Sequence, residues 1–146
     1  MLGAEPLIRE NYIKTGLVKL VFNPVLSHGD RSYQSHQAAE CAGEQGRFWE
    51  FHDLLFDNQD SLFAGDIQAT VKQLAAEADL DTASFDVCMD EQRYLDLIVS
   101  QDEVRQQHGI RGQPVFDING EFLFGAQSFE VFQTVIETQL AQPSGQ

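Results

Sequence analysis

The apolar residues of this 146-residue chain change their period, and that change limits the folds open to it. From Tyr33 to about Asn58, and again from Ile67 to His108, they recur three and four positions apart, as on one face of a helix. Phe48, Phe51 and Leu55 make one stripe, widened by Trp49 and Phe56. Ile67, Val71, Leu74, Ala75 and Ala78 make another. After Pro114 the spacing drops to two. Pro114-Val115-Phe116-Asp117-Ile118 and Glu121-Phe122-Leu123-Phe124 flank Asn119-Gly120, a pair suited to the two positive φ angles of a tight type I′ turn. Residues 114–124 therefore read as a β-hairpin. Ser128 then caps a last helix carrying Phe129, Phe132, Ile136 and Leu140, and 142–146 reads as a frayed tail.

Nearer the start, Glu5 to Lys14 reads as a short helix ended by Thr15-Gly16. Leu17-Val18-Lys19-Leu20-Val21-Phe22 is β-rich and apolar on both faces, the pattern of an interior strand in a covered sheet. Asn23-Pro24 ends it, and the stretch through Ser27-His28-Gly29-Asp30 reads as loop. Between this strand and the hairpin the spacing predicts four or five helices, with a break near Gly43 or Gly46, caps at Asp66 and Asp81, and a stop at Gly109. The expected class is α/β in a single domain, 1–146. A helical subdomain at about 31–108 is inserted between strand 17–22 and hairpin 114–124.

Charge and cysteines exclude several functions. With 9 Lys+Arg against 23 Asp+Glu, a formal charge of −14 leaves no basic surface for a polyanion, so neither nucleic acid nor an anionic membrane is an expected partner. No apolar run approaches the roughly 20 residues that span a bilayer. Met1-Leu2-Gly3-Ala4 leads directly into Glu5 with no secretory signal, so the chain as written is expected in the cytoplasm or as part of something longer. The two cysteines, Cys41 and Cys88, form no C-x-x-C. Cys41 falls inside a predicted helix with Glu44 beside it. Cys88 sits among Asp86, Asp90 and Glu91. Carboxylates raise a thiol's pKa, whereas exchange chemistry needs it lowered.

Three stretches, in order, resemble the DsbA-like thiol:disulfide oxidoreductases of the thioredoxin superfamily. The first is Glu5-Pro6-Leu7-Ile8 through Tyr12, Thr15-Gly16 and Val18 to Phe22, similar to the end of the family's first helix and its second core strand. The second is Ala38-Ala39-Glu40-Cys41 with Gly46-Arg47-Phe48-Trp49-Glu50-Phe51-His52-Asp53-Leu54-Leu55-Phe56, similar to the start of the family's inserted helical subdomain. The third is Gly109-Ile110-Arg111-Gly112-Gln113-Pro114-Val115-Phe116, with Asn119-Gly120 and Gly125-Ala126-Gln127, which resembles the cis-proline loop and its hairpin.

The resemblance implies a thioredoxin-like fold whose first core strand and C-x-x-C are missing, because the chain opens part-way along the helix that follows them. The family forms or isomerises disulfides, typically in the periplasm or outside the cytoplasm. This chain is expected to be redox-inactive by itself, without cofactor or metal. The alternative is a degenerate thioredoxin-fold module that binds peptide or a protein partner. Gln113 and Pro114 would then offer backbone to an extended substrate. Pro114 is cis on the resemblance, or an ordinary trans proline opening a strand. Cys41 and Cys88 are either small buried hydrophobes or, as the resemblance implies, a structural disulfide between two helices. Loss of the central strand would be met by direct pairing of 17–22 with 114–118 or by a homodimer.

The remaining chemistry-bearing residues read as structure. His28, His36, His52 and His108 lack metal-ligand spacing. His52, one turn from Phe48, reads as an amphipathic helix residue, and Phe48, Trp49, Phe51 and Phe56 as packing. Asp79, Asp81, Asp86, Asp90, Glu91 and Asp96 read as a solvated face without the spacing of a Ca²⁺ loop. Asp117 shares a face with Val115 in a segment expected to be buried, so it needs a partner or that face is open.

Overall fold

The computed structural model describes residues 3–142. They form two compact units: one from the chain's two ends, up to Phe22 and from Gly109 onward, and one from Asn23–His108. The fold is thioredoxin-like α/β, mostly helical, with a small two-stranded sheet and a helical insertion.

The Asn23–His108 unit holds α2 (Asp30–Gly43), α3 (Phe48–Asp57), α4 (Gln59–Ala64), α5 (Ile67–Glu77), α6 (Thr82–Asp90) and α7 (Leu95–Gln107). Helix α2 packs against α3, α5, α6 and α7. Small residues allow that close approach: Ala38, Ala39, Cys41 and Ala42 are buried along it, facing Phe51, Val71, Leu74 and Phe85. The helix starts expected at the two aspartates form with side-chain caps. Asp66 Oδ1 accepts from the Gln68 and Ala69 N–H groups at 3.0 and 3.3 Å, and Asp81 Oδ1 accepts from Ser84 N–H at 2.9 Å. The turn after α2 is tied to the start of α6 by one side chain. The Gln45 amide donates to the Asp81 carbonyl at 3.2 Å and accepts from Asp81 N–H at 2.8 Å.

Helix α4 has no counterpart in the sequence reading. Its six residues bury only Leu62, so there is no repeat from which to read a period.

The other unit holds α1 (Glu5–Ile8), a π-helical turn over Arg9–Ile13, β1 (Val115–Ile118), β2 (Glu121–Phe124) and α8 (Phe129–Ala141). The helix expected over 5–14 changes type midway, as the Lys14 N–H reaches back to Arg9 O at 2.9 Å. Tyr12 lies buried in this wider turn, and its hydroxyl donates to Glu137 Oε1 on α8 at 2.9 Å. β1 and β2 pair antiparallel, with Val115 opposite Phe124 and Ile118 opposite Glu121. Asn119 and Gly120 take φ of 52° and 94° at the turn. Phe116, Ile118 and Leu123 on one face pack toward Phe132, Ile136 and Tyr12, with Phe116 and Phe132 edge to face at 4.7 Å.

Two expectations need correction. Residues 17–22 are not a strand. Burial does alternate along them, with Val18, Leu20 and Phe22 half-buried and Leu17, Lys19 and Val21 exposed. Yet the only ladder among the described residues joins β1 to β2, so 17–22 neither lies inside a sheet nor pairs with 114–118. β-propensity describes a fit to a pleated, paired surface, and without a strand laddered beside it the segment is not one. Ser128 stands at the start of α8 but does not cap it through its side chain. Its hydroxyl goes instead to the Glu130 carboxylate, which it holds below the usual carboxylate range.

Candidate functional site

The residues singled out for function lie in two separate places. Gln113 and Pro114 are in the loop before β1, and the peptide bond between them is cis. The Pro114 carbonyl accepts from Gly125 N–H at 2.9 Å, which closes the open end of the hairpin behind the loop. Gln113 is exposed and, among the described residues, makes no hydrogen bond.

The sheet face beside this loop was not foreseen as part of a site. Strand alternation turns Val115, Asp117, Phe122 and Phe124 away from α8. Phe124 is 64% exposed, and its ring stacks on that of Phe122 with centroids 6.3 Å apart. The two rings make an exposed apolar patch on the outer face of the hairpin. The signal was present in the sequence, because two Phe at i and i+2 of a hairpin strand must share a face. Asp117 lies on this same face, exposed, with Oδ1 accepting from Gly120 N–H at 2.6 Å. Of the two readings it allowed, both hold: the carboxylate has a partner and the face is open.

Cys41 and Cys88 form a disulfide between α2 and α6, their Cα atoms 5.9 Å apart. Each is only 1% exposed. Each also lies in the last turn of its helix, where backbone carbonyls present partial negative charge. Glu44 Oε1 is 3.8 Å from Cys88 Sγ. Both carboxylate oxygens of Glu44 accept from Arg93 Nη1, at 2.9 and 2.7 Å, and this holds Glu44 below the usual carboxylate range. Arg93 also donates from Nη2 to Glu91 at 2.7 Å.

The histidines do not assemble into a site. Among the described residues, no group of three or more His, Cys, Asp or Glu side chains is placed to hold a metal ion. His52 is buried among Phe48, Trp49 and Phe56, with Nδ1 3.1 Å from Asp53 Oδ1. His36 and Asp102 fasten the segment that leads into α2. His36 bonds the backbone of Val25, and Asp102 Oδ1 accepts from Leu26 N–H at 3.1 Å. Burial would raise the Asp102 carboxyl, but Arg105, Leu26 N–H and Gln106 outweigh it and hold it low.

Burial pushes the His36 imidazole down to about 4, helped by His52 and opposed by the Val25 bond and by Asp102. The unfolded chain therefore takes up this proton near pH 6.5, while the folded chain resists until about pH 4. Stability contributed by neutral His36 is complete above pH 6.5 and is lost as pH falls toward 4, by about 3 kcal/mol in all. Glu40, raised by its own burial, acts in the opposite direction at lower pH. Urea denaturation of the wild type and His36→Gln at pH 7, 5.5 and 4 isolates the effect. The wild type should lose the larger share of its stability on acidification; parallel profiles would refute the assignment.

A family model described as Thioredoxin matches residues 4–138. Among curated proteins, the chain is similar to Na(+)/H(+) antiporter NhaA 3 of Salinispora tropica, 29% identical over 140 residues. That alignment covers 94% of this chain and 21% of the antiporter. Na(+)/H(+) antiporter NhaA 1 of Salinispora arenicola is 28% identical, with the same coverage. Disulfide bond formation protein D of Bacillus subtilis (strain 168) is 21% identical over 145 residues, 92% of this chain and 63% of that protein. The chain thus spans about a fifth of the length of these antiporters.

Proposed function

This chain belongs to the thioredoxin family, and we propose that it docks extended polypeptide at the Gln113–Pro114 loop while Cys41 and Cys88 carry no exchange chemistry. One observation carries the docking half: the unbonded Gln113 backbone leads into the strand whose Val115 stands opposite Phe124, the exposed partner of Phe122. Main-chain groups would supply hydrogen bonds in the manner of strand addition, and the aromatic pair would supply apolar contact. The likeness to a disulfide bond formation protein supports disulfide-bearing polypeptides as the class of ligand. For the second half, a redox pair needs an accessible sulfur and a stabilised thiolate, and this pair is buried at the carbonyl ends of two helices.

Two measurements test the reading. In an insulin-reduction assay with dithiothreitol, the chain should not exceed the uncatalysed rate. Robust turnover abolished by Cys41→Ser would overturn the redox half. For docking, an isotope-labelled chain is titrated with a reduced, S-carboxymethylated unfolded polypeptide. Amide shifts should centre on Gln113, Val115 and Phe124, and Phe124→Ala should weaken binding about fivefold or more. Shifts confined to other surfaces would overturn the docking half.

The antiporter matches favour a second reading, in which a domain of this type serves a Na(+)/H(+) antiporter as an appended module. Its support is the coverage, nearly all of this chain but only a domain-sized share of each antiporter. None of the described helices is long and apolar enough to cross a membrane. Sequencing the reading frame on either side of the chain for in-frame membrane-spanning segments tests this reading.

A further inference from the structure

We infer that Glu44 guards the Cys41–Cys88 disulfide against attack by thiols, and that Arg93 sets how strongly it does so. Reduction of the link would begin with a small-molecule thiolate attacking Cys88 Sγ. A new S–S bond forms there, the Cys41–Cys88 bond breaks, and its electron pair leaves on Cys41 Sγ, which then takes a proton from solvent. The reagent's second thiol, deprotonated, attacks the mixed disulfide, frees Cys88 and leaves the reagent oxidised. Two electrons have passed to the protein, and each step has placed negative charge at or near these sulfurs.

The surroundings oppose that charge at every stage. A disulfide sulfur has no hydrogen to donate, so Glu44 Oε1 at 3.8 Å from Cys88 Sγ is a negative charge held beside the sulfur that would be attacked. Cys41 and Cys88 both sit in the last turns of their helices, where a leaving thiolate meets the negative end of the backbone dipole. Arg93 modulates this field. Its guanidinium lies between Glu44 and Glu91, so the three side chains carry one net negative charge beside the link, and the Arg93 backbone N–H donates to the Cys88 carbonyl at 3.2 Å. Removing the carboxylate should quicken reduction. Removing the guanidinium should slow it, because Glu44 is then unneutralised.

That opposition in sign is the test. Native protein is reduced with dithiothreitol at pH 8, and freed thiols are trapped and counted by mass. A rate that rises in proportion to reagent and does not quicken in sub-denaturing urea reports attack on the folded state, because attack through an opened state would rise with urea. Glu44→Gln, which keeps a bonding partner for Arg93, should react roughly five- to tenfold faster than wild type, as expected for one nearby charge. Arg93→Met should react severalfold slower. Added salt should shrink the gap between wild type and Glu44→Gln. If both variants react faster, they have merely loosened the packing and the inference fails. It also fails if both match the wild type, or if every rate is independent of dithiothreitol, for then burial alone protects the link. None of these variants touches the Gln113–Pro114 loop, so docking stands or falls separately.

Discussion

Replacing Cys41 and Cys88 together with alanine should cost the Asn23–His108 unit about 4 kcal/mol of unfolding free energy and lower its melting temperature by on the order of 20 °C. The link joins residues 47 apart in sequence, and tying such a loop removes much of the freedom of the unfolded chain. Alanine suits the site because both positions are 1% exposed and a hydroxyl there would need a partner. Trp49, the chain's one tryptophan, lies on α3 of the same unit and reports its unfolding by fluorescence. Wild type unfolded in the presence of reductant should move toward the double variant. A double variant melting within about 2 °C of the wild type would show that the link adds nothing to stability.

The second large effect is expected at Phe85. Its ring is fully buried and meets that of Phe51, also fully buried, at 5.5 Å between centroids. Phe85→Ala leaves a cavity where α6 meets α3 and should cost about 3–5 kcal/mol. Phe85→Leu keeps most of the volume and should cost less than about 1.5 kcal/mol, so the site remains measurable if the alanine variant does not fold. Urea midpoints for the two variants check this. Equal midpoints, or an alanine cost under about 1 kcal/mol, would mean that the neighbouring chain closes the space. Phe85 and Cys88 share one face of α6, so combining Phe85→Ala with loss of the disulfide should not give a simple sum.

What could be read from the sequence follows the length scale of each signal. The caps at Asp66 and Asp81 and the Asn119-Gly120 turn are decided within a few residues, by a side-chain oxygen reaching an N–H or by a backbone that tolerates positive φ. Those were legible. The stripe through Phe51 and Leu55 and the one through Val71 and Leu74 were legible because helical burial repeats over many residues. Helix α4 was not, since a six-residue helix with one buried side chain shows no period. The segment 17–22 was misread because a strand is a property of two segments and only one was in view.

At the candidate site, Gln113 and Pro114 were found through resemblance and not through physics. Phe122 and Phe124 were overlooked although alternation placed them together, because nothing local says which face of a hairpin is covered. The Glu44–Cys88 contact joins residues from different helices and appears only once α2 and α6 are packed.

The segment Leu17–Phe22, which joins no sheet ladder among the described residues, has a consequence for how this chain behaves in bulk. Six residues of high β-propensity, with Leu17 56% and Val21 59% exposed, form the kind of stretch from which cross-β stacking between molecules grows. Lys19, exposed between them, places a charge where two such stretches would zip together. Around it the formal charge of −14 keeps whole molecules apart at neutral pH. Both protections are electrostatic. The second fades as the solution nears the isoelectric point at about 4.4, and over the same interval His36 weakens the fold from within. Acidification therefore erodes colloidal and conformational stability together, and this chain is best kept and handled well above pH 6.5.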